Sequence, residues 1–152
     1  MSNDAIKVLA VASAGGHWEQ LMLLRSTLEA YDVQFVTTDT SQAELHGIAS
    51  PDLIPDCSKD TPLRLVRCAL AAARLIMNCR PQVVITTGAA PGFFCILAAR
   101  FIGARTLWID SVANGEELSL GGKFARLFAH TCWTQWEHLA GGEKLRYRGA
   151  LI

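Results

Sequence analysis

The sequence predicts an α/β fold in which a doubly wound, mostly parallel sheet has helices on both faces. Runs of apolar and β-branched residues alternate with helix-length segments along the 152-residue chain. The apolar runs are continuous rather than alternating, which is typical of strands that helices cover on both sides. Glycine or proline stands at the joins between them. The repeated order of strand, helix and strand therefore implies right-handed crossovers and a parallel sheet.

The first element is the strand IKVLAVA, and the helix after it carries apolar residues at helical spacing, among them Trp18, Leu21 and Leu28. Further along, Pro81 ends the second long helix and Pro91 is placed to begin the third. The strand near residue 53 is the weakest of the set. In chain order, the predicted strands are 6–12, 33–38, 53–55, 82–87, 105–110 and 131–134, and the predicted helices are 17–30, 62–79, 91–102 and 119–130.

Length and composition limit the possible classes of protein. Apolar residues make up 51% of the chain, which is enough for one core, so residues 1–152 are expected to form a single domain. Lys and Arg balance Asp and Glu at 14 each, so bulk charge gives no reason to expect a nucleic-acid partner. The five cysteines include no C-x-x-C pair, which fits a reducing cytoplasm better than a disulfide framework or a zinc site.

No segment of the sequence has the pattern of an export signal or a membrane span. The N-terminal apolar run follows Asp4 and has about seven residues, which is too short for a convincing signal peptide. No window reaches the roughly 18 to 20 apolar residues that cross a bilayer. We therefore expect a soluble or surface-bound protein in the cytoplasm.

The loops after the strands carry most of the chemistry, because ligands of doubly wound sheets bind beyond the carboxyl ends of the strands. The first loop contains Ser13 and the adjacent Gly15 and Gly16. Adjacent glycines allow positive φ and close approach of a ligand, so the amides that begin the next helix can face a phosphate or diphosphate. A tight turn without a ligand would explain the glycines equally well.

His17 and Glu19 follow these glycines directly. An imidazole can accept a proton from a hydroxyl near neutral pH, which is useful in group transfer. A helix-terminal histidine with no chemical role is the alternative for His17.

The second loop, TTGAAPGF, repeats this arrangement after the fourth strand. Thr87 and Gly88 end the strand, and Pro91 and Gly92 lie at the start of the next helix. The loop therefore offers a second helix N-terminus suited to an anion, or it only executes the turn.

The third loop, WIDSVANGEELSLGGK, places Asp110 and Ser111 at the end of the fifth strand, with Asn114 in a turn. A carboxylate at this depth could hydrogen-bond sugar hydroxyls, or it could cap backbone amides. Two glycine-containing corners and these polar side chains at one edge of the sheet would form a cleft.

Other nucleotide-binding and catalytic motifs are missing. The sequence has neither G-x-x-x-x-G-K-[ST] nor G-x-S-x-G, which argues against a P-loop NTPase and a nucleophile-elbow hydrolase. It also lacks G-x-G-x-x-G, but Asp39 follows the second strand where a ribose-binding acid would stand, so a nucleotide-binding Rossmann domain stays open. His46, His130 and His138 lack metal-ligand spacing, and no metal site is expected.

The segments SAGGHWEQL, TTGAAPG, WIDSVANGEELSLGGK and TQW, in this order, resemble the N-terminal half of GT-B glycosyltransferases of the lipid-II-synthase type. In particular, they resemble the acceptor-binding, membrane-associating subunit of the two-chain UDP-N-acetylglucosamine transferase of N-glycan assembly. They also resemble the bacterial PssD-type proteins of exopolysaccharide synthesis. The resemblance covers residues from about 6 to 140. The chain departs from the eukaryotic subunit at Asp110, where that subunit has glutamate, and in lacking its N-terminal membrane anchor.

The resemblance implies that this chain is one half of a UDP-sugar-dependent glycosyltransferase in polysaccharide biosynthesis. A separate partner chain would bind the UDP-sugar, and this chain would bind a polyprenyl-diphosphate-linked saccharide, with no bound metal or further cofactor. The diphosphate would lie at the glycine corner, and His17, or less readily Glu19 or Asp110, would accept the proton of the acceptor hydroxyl. The acceptor-binding set would be Ser13, Gly15, Gly16, Thr87, Gly88, Pro91, Gly92, Ser111 and Asn114.

The helix TPLRLVRCALAAARLIMNCR is the predicted membrane contact. On a helical wheel, Arg64, Arg67 and Arg74 fall on one narrow side and the remaining arc is almost wholly apolar. Such a helix lies in the bilayer interface with its arginines at the headgroups, or it is a core helix with one solvent-exposed edge. A helix in the bilayer interface would place the protein peripherally on the inner face of the plasma membrane. A non-catalytic adaptor that recruits a soluble transferase to the membrane is the competing function.

Overall fold

The protein is built on a parallel sheet with helices on both faces. The computed structural model describes residues 5–57 and 61–152. Within these ranges the strands are β1 (Lys7–Ala12), β2 (Asp32–Thr37), β3 (Asp52–Leu53), β4 (Val83–Thr86), β5 (Arg105–Ile109), β6 (Thr131–Thr134) and β7 (Leu145–Tyr147). The helices are α1 (Gly16–Leu23), α2 (Arg25–Leu28), α3 (Thr40–Leu45), α4 (Pro62–Cys79), α5 (Ala89–Phe101) and α6 (Leu120–Phe128), and a 3₁₀ turn covers Glu137–Leu139.

The strand order brings β1 and β4 together at the centre of the sheet. The order is β3-β2-β1-β4-β5-β6-β7, and all neighbouring strands are parallel. The chain leaves β1 towards one edge of the sheet and leaves β4 towards the other. A crevice therefore opens beyond the carboxyl ends of these two strands, which is where doubly wound sheets bind ligands. The predicted doubly wound, Rossmann-like fold is confirmed.

Two hydrophobic layers hold the helices on the sheet. Helices α1, α2 and α3 cover one face, where the fully buried Trp18 packs edge-on against Phe35 with ring centroids 6.2 Å apart. Helices α4, α5 and α6 cover the other face, where Ile76, Ile96 and Trp108 are buried. The continuous apolar runs of the strands follow from this burial on both sides.

Three elements differ from the sequence-based prediction. The helix predicted over 17–30 is divided into α1 and α2 at Leu24, whose amide bonds the carbonyl of Leu21 in a tightened turn. Helix α3 was not predicted, and it begins where Asp39 accepts hydrogen bonds from the amide and hydroxyl of Ser41. Strand β7 has only three residues, too few to show a period in the sequence.

In the ranges that the structure describes, no helix has the length and apolar character needed to cross a membrane.

Candidate functional site

His17 joins the loops that follow β1 and β4. Its Nδ1 lies 3.0 Å from the carbonyl oxygen of Thr87, and the Thr87 hydroxyl donates to the His17 carbonyl at 2.6 Å. A carbonyl oxygen only accepts, so Nδ1 carries the proton in this bond. In the neutral ring, Nε2 then holds the free lone pair. The two central loops are thus tied together by a histidine oriented as a proton acceptor.

Gly88 makes room for this histidine. Its φ is +129°, and a Cβ built on it would lie 2.8 Å from both Cε1 and Nδ1 of His17. The next residue, Ala89, also has a positive φ of 70°, a conformation that costs a non-glycine residue about 1–2 kcal/mol. Two successive positive φ angles turn the chain sharply from β4 into α5 beneath the imidazole.

The loop after β1 uses some of its amides internally. The Gly15 amide donates to Oε1 of Gln42 at 2.7 Å, and the Ala14 amide donates to the hydroxyl of Thr38 at 2.8 Å. Gly15 has a φ of +86°, which explains why it is glycine. Gly16 is exposed, and a Cβ there would meet none of the described atoms within 4 Å. The fold therefore does not itself require glycine at residue 16, where the first turn of α1 presents its amides outward.

A half-open cleft of about 500 Å³ lies beside His17, between α5 and α6. Its polar lining residues are His17, Ser111, Asn114 and Ser119. Its large apolar lining residues are Leu65, Phe93, Phe94, Leu120 and Phe124, of which the three phenylalanines lie close together. Three of the predicted site residues, His17, Ser111 and Asn114, line this cleft, and its apolar wall was not foreseen.

Asp110 holds the loop between β5 and α6. It is 2% exposed, and its Oδ1 accepts from Nε1 of Trp108 at 3.0 Å and from the hydroxyl of Ser119 at 2.5 Å. Its Oδ2 accepts from the amide of Ser119 at 3.0 Å. Ser119 in turn caps α6 by accepting from the amide of Gly122. The carboxylate thus makes the capping contacts considered from the sequence, and its contacts in the described chain are with the scaffold.

Two glutamines that were not predicted as site residues connect α1 with the loops after β5 and β6, below the cleft. Gln20 donates to the hydroxyl of Ser111 at 2.9 Å and accepts from Gln135 at 2.6 Å. Gln135 also donates to the carbonyl of Asp110 at 3.0 Å and accepts from the amide of Leu151. The available signal was a glutamine inside the apolar pattern of the first helix and another directly after the sixth strand.

Several of the predicted site residues contact the scaffold rather than the cleft. The Glu19 side chain is 60% exposed, and its Oε2 lies 3.3 Å from Nε2 of His46, away from His17. Pro91 and Gly92 are buried in α5, and a Cβ on Gly92 would lie 2.0 Å from Oγ1 of Thr86. Ser13 is 8% exposed at the end of β1. The structure brings together the remaining predicted residues, which are Gly15, Gly16, His17, Thr87, Gly88, Ser111 and Asn114.

The predicted membrane helix is α4, and it has two apolar faces. Its inner face buries Cys68, Ala72 and Ile76 in the core. Its outer face leaves four large apolar side chains more than half exposed, and Arg64, Arg67 and Arg74 are exposed beside them. These four side chains are Leu63, Val66, Leu70 and Met77.

The buried thiols are part of the core. Burial raises the pKa of Cys95 to about 12 and the pKa of Cys132 to about 11, so both stay uncharged at neutral pH. All five cysteines are free. Among the described residues, no three His, Cys, Asp or Glu side chains come together as a metal site.

Residues 26–151 match the family model described as "Oligosaccharide biosynthesis protein Alg14 like". The chain belongs to this family. The matched range of this Alg14-like protein contains the loops of Thr87 and Asp110 but begins after His17. No curated protein sequence matches it significantly.

Solved structures confirm the fold of this Alg14-like protein. MurG of Acinetobacter baumannii superposes with a TM-score of 0.74 at 15% identity, over 92% of this chain and 44% of its own. A UDP-N-acetylglucosamine 2-epimerase of Rickettsia bellii gives 0.70 at 14% identity, over 88% and 40%. A glycosyltransferase of Rickettsia africae gives 0.61 at 14% identity, over 87% and 37%. The chain thus spans less than half the length of these neighbours, and its fold matches the N-terminal half of GT-B glycosyltransferases, which need no cofactor besides the UDP-sugar.

Proposed function

We propose that this Alg14-like protein is the acceptor-binding subunit of a two-chain, UDP-sugar-dependent glycosyltransferase in polysaccharide or exopolysaccharide biosynthesis. Residues 1–152 form its single Rossmann-like domain. The partner chain holds the UDP-sugar, and this chain holds a polyprenyl-diphosphate-linked saccharide. Family membership and the fold of one GT-B half support the proposal.

The observation that carries the proposal is the pairing of His17 with Thr87 at the switch point, beside a cleft that is lined by both polar and large apolar side chains. An amphiphile with an anionic centre matches this lining. Its diphosphate lies at Gly16, where the amides and positive end of α1 favour negative charge. Glycine at this exposed position, which the fold does not require, allows the phosphate oxygens to approach the backbone.

The reaction follows from the position of the imidazole. An acceptor hydroxyl attacks the anomeric carbon, a new C–O bond forms, and the bond to UDP breaks with its electron pair leaving on the diphosphate. The hydroxyl proton passes to Nε2 of His17, which is free because the Thr87 carbonyl holds Nδ1–H. Asp110 positions the loop that carries Ser111 and Asn114. We therefore propose Asp110 as a positioning residue and His17 as the base.

The helices of one layer carry the proposed membrane contact. Helix α4 contributes three arginines, α5 one arginine, and α6 one lysine and one arginine, while none of the three contains Asp or Glu. Exposed Leu70 of α4 and Leu127 of α6 are among the apolar side chains between these cations. Apolar side chains among cations suit an anionic lipid surface. We therefore propose peripheral binding to the inner face of the plasma membrane through this layer.

The test is transfer of radiolabelled sugar from UDP-sugar to a polyprenyl-diphosphate-saccharide, with and without the partner chain. The pair of chains should transfer sugar and the isolated chain should not. His17→Ala should lower the rate about 10²- to 10⁴-fold, as expected for a lost general base, with acceptor binding retained. His138→Ala removes an imidazole outside the cleft and should leave the rate unchanged.

Two results would contradict the proposal. Full transfer by the isolated chain would defeat the division between two subunits. A chain that stimulates its partner but binds no diphosphate lipid, with His17→Ala fully active, would be a membrane adaptor instead.

A further inference from the structure

We propose that the apolar wall of the cleft seats the first isoprenoid units of the acceptor lipid. This inference rests on the proposed function and adds a subsite to it. We call the part of the cleft at this wall the phenylalanine cleft, and its wall is formed by Leu65, Phe93, Phe94, Leu120 and Phe124.

The aromatic rings in the wall of the phenylalanine cleft pack against one another. Phe93 lies at its centre, with ring centroids 5.8 Å from Phe94, 6.2 Å from Phe124 and 6.1 Å from Phe128. The interplanar angles of 50° to 66° are those of tilted and edge-on aromatic pairs, which are favourable arrangements. The apolar surface is therefore pre-formed, and a hydrocarbon chain can enter without a rearrangement of the rings.

The fold leaves part of this wall open to water. Phe124 is 48% exposed and Leu120 is 56% exposed, although both line the cleft. Contiguous exposed apolar surface of this kind marks a place where another apolar group is buried. The cleft is half-open along its length, which suits a chain that enters from one side and continues beyond it.

The phenylalanine cleft is continuous with the apolar outer surface of two helices. On α4, Leu65 lines the cleft, and its neighbours Leu63 and Val66 are exposed. On α6, Phe128 contacts Phe93 and is itself 41% exposed beside Leu127. A hydrocarbon chain can thus pass from a bilayer at this surface into the cleft along apolar side chains.

Charge and polarity favour a diphosphate lipid over a protein segment as the occupant. Helices α4, α5 and α6 carry cations and no carboxylates, and the same cleft is lined by His17, which directly follows Gly16 in the chain. One molecule with an anion joined directly to a hydrocarbon would contact both the polar and the apolar lining. A second copy of this chain would instead bring the same cations against each other.

If the phenylalanine cleft binds isoprenoid units, the chain should recognise the hydrocarbon part of the acceptor as well as its diphosphate. Farnesyl diphosphate and inorganic pyrophosphate are the two ligands for the test, with binding measured by calorimetry on the full chain. Farnesyl diphosphate should bind at least about tenfold more tightly, since an apolar chain leaves water for an aromatic wall.

Two variants separate the cleft from exposed apolar side chains elsewhere on the protein. Phe124→Gln should weaken farnesyl diphosphate binding about tenfold and leave pyrophosphate binding unchanged. Leu45→Gln changes a side chain that is 85% exposed on α3 in the opposite layer and outside the cleft, and it should bind both ligands as the parent does. Phe124→Leu, which restores an apolar group, should recover most of the lost affinity.

The outcomes distinguish this inference from the proposed function. Equal affinity for the two ligands, or equal effects of Phe124→Gln and Leu45→Gln, would overturn the lipid subsite. Partner-dependent sugar transfer would still be observed, so the proposed function would stand. A chain that binds neither ligand and supports no transfer with its partner would overturn both. If Phe124→Gln fails to fold, the ratio of the two affinities in the parent protein still decides the matter.

Discussion

Gly88 is glycine for two reasons that substitution can separate. It has a positive φ, and it lies against the imidazole of His17. Gly103 also has a positive φ, of +77°, but a Cβ there would meet none of the described atoms within 4 Å. The two residues therefore form a matched pair in which only one contacts the proposed base.

We expect Gly103→Ala to lower the free energy of unfolding by about 1–2 kcal/mol, the cost of a left-handed conformation for alanine. Gly88→Ala should lower it by at least as much, because the backbone angles of Gly88, φ +129° and ψ −170°, are adopted almost only by glycine. Only Gly88→Ala should also lower sugar transfer with the partner chain, by at least about tenfold, because its Cβ displaces His17. Urea unfolding and transfer assays on both variants check this. Equal transfer rates would show that the position of His17 is not important.

At the residue scale, the sequence was informative about which side chains gather at the cleft but not about what each one contacts. His17, Thr87 and Ser111 could be grouped because the carboxyl ends of parallel strands meet at one edge. The engagement of Asp110 by Ser119 could not be predicted, because it depends on how the loop after β5 folds back over the end of the strand.

At the scale of elements, the long helices and buried strands were predictable because their periods repeat over many residues. Helix α3 has six residues and β7 has three, so neither shows a clear period. The division of the first helix at Leu24 depends on packing, because residues on both sides of it have helical spacing. The outer apolar face of α4 was predictable, since its apolar arc is wider than contact with one neighbouring layer requires.

The outer face of α4 gives a prediction for membrane binding. Leu70→Glu should reduce cosedimentation with vesicles of phosphatidylglycerol and phosphatidylcholine several-fold, because it puts a carboxylate among exposed apolar side chains and arginines. Leu45→Glu is the control, since Leu45 is 85% exposed but lies on α3 in the opposite layer. Equal loss of binding in both variants would exclude α4 as the contact surface.

At the scale of the whole molecule, His130 couples global stability to pH. The amide of Thr106 donates to Nδ1 at 3.1 Å, and this bond joins the starts of β5 and β6. Burial lowers the pKa of His130 below its usual value of 6.5, and Arg100, Arg105 and Lys144 lower the pKa further. Protonation of the folded protein at Nδ1 would also break the bond to Thr106.

Because the pKa of His130 is lower in the folded protein, the unfolded chain binds the proton first as pH falls. Neutral His130 therefore makes its full contribution to the free energy of unfolding above pH 6.5. This stabilisation is lost progressively as pH falls from 6.5 towards the pKa of His130 in the folded protein. We expect His130→Asn, which keeps an acceptor for Thr106, to show a shallower loss of stability than the parent between about pH 6.5 and about pH 5. Urea unfolding across this range measures the slope. A slope in His130→Asn identical to that of the parent would contradict the assignment.

The separation of charge between the two helical layers gives the molecule a preferred orientation in an electric field. Cations without carboxylates occupy α4, α5 and α6, whereas Glu19 and Glu44 lie on α1 and α3 of the other layer. A negatively charged plane would rotate such a body before contact, so that it arrives with the cationic layer downward. The crevice between β1 and β4 would then open sideways along the plane, within reach of a head group whose tail extends from the lipid into the cleft.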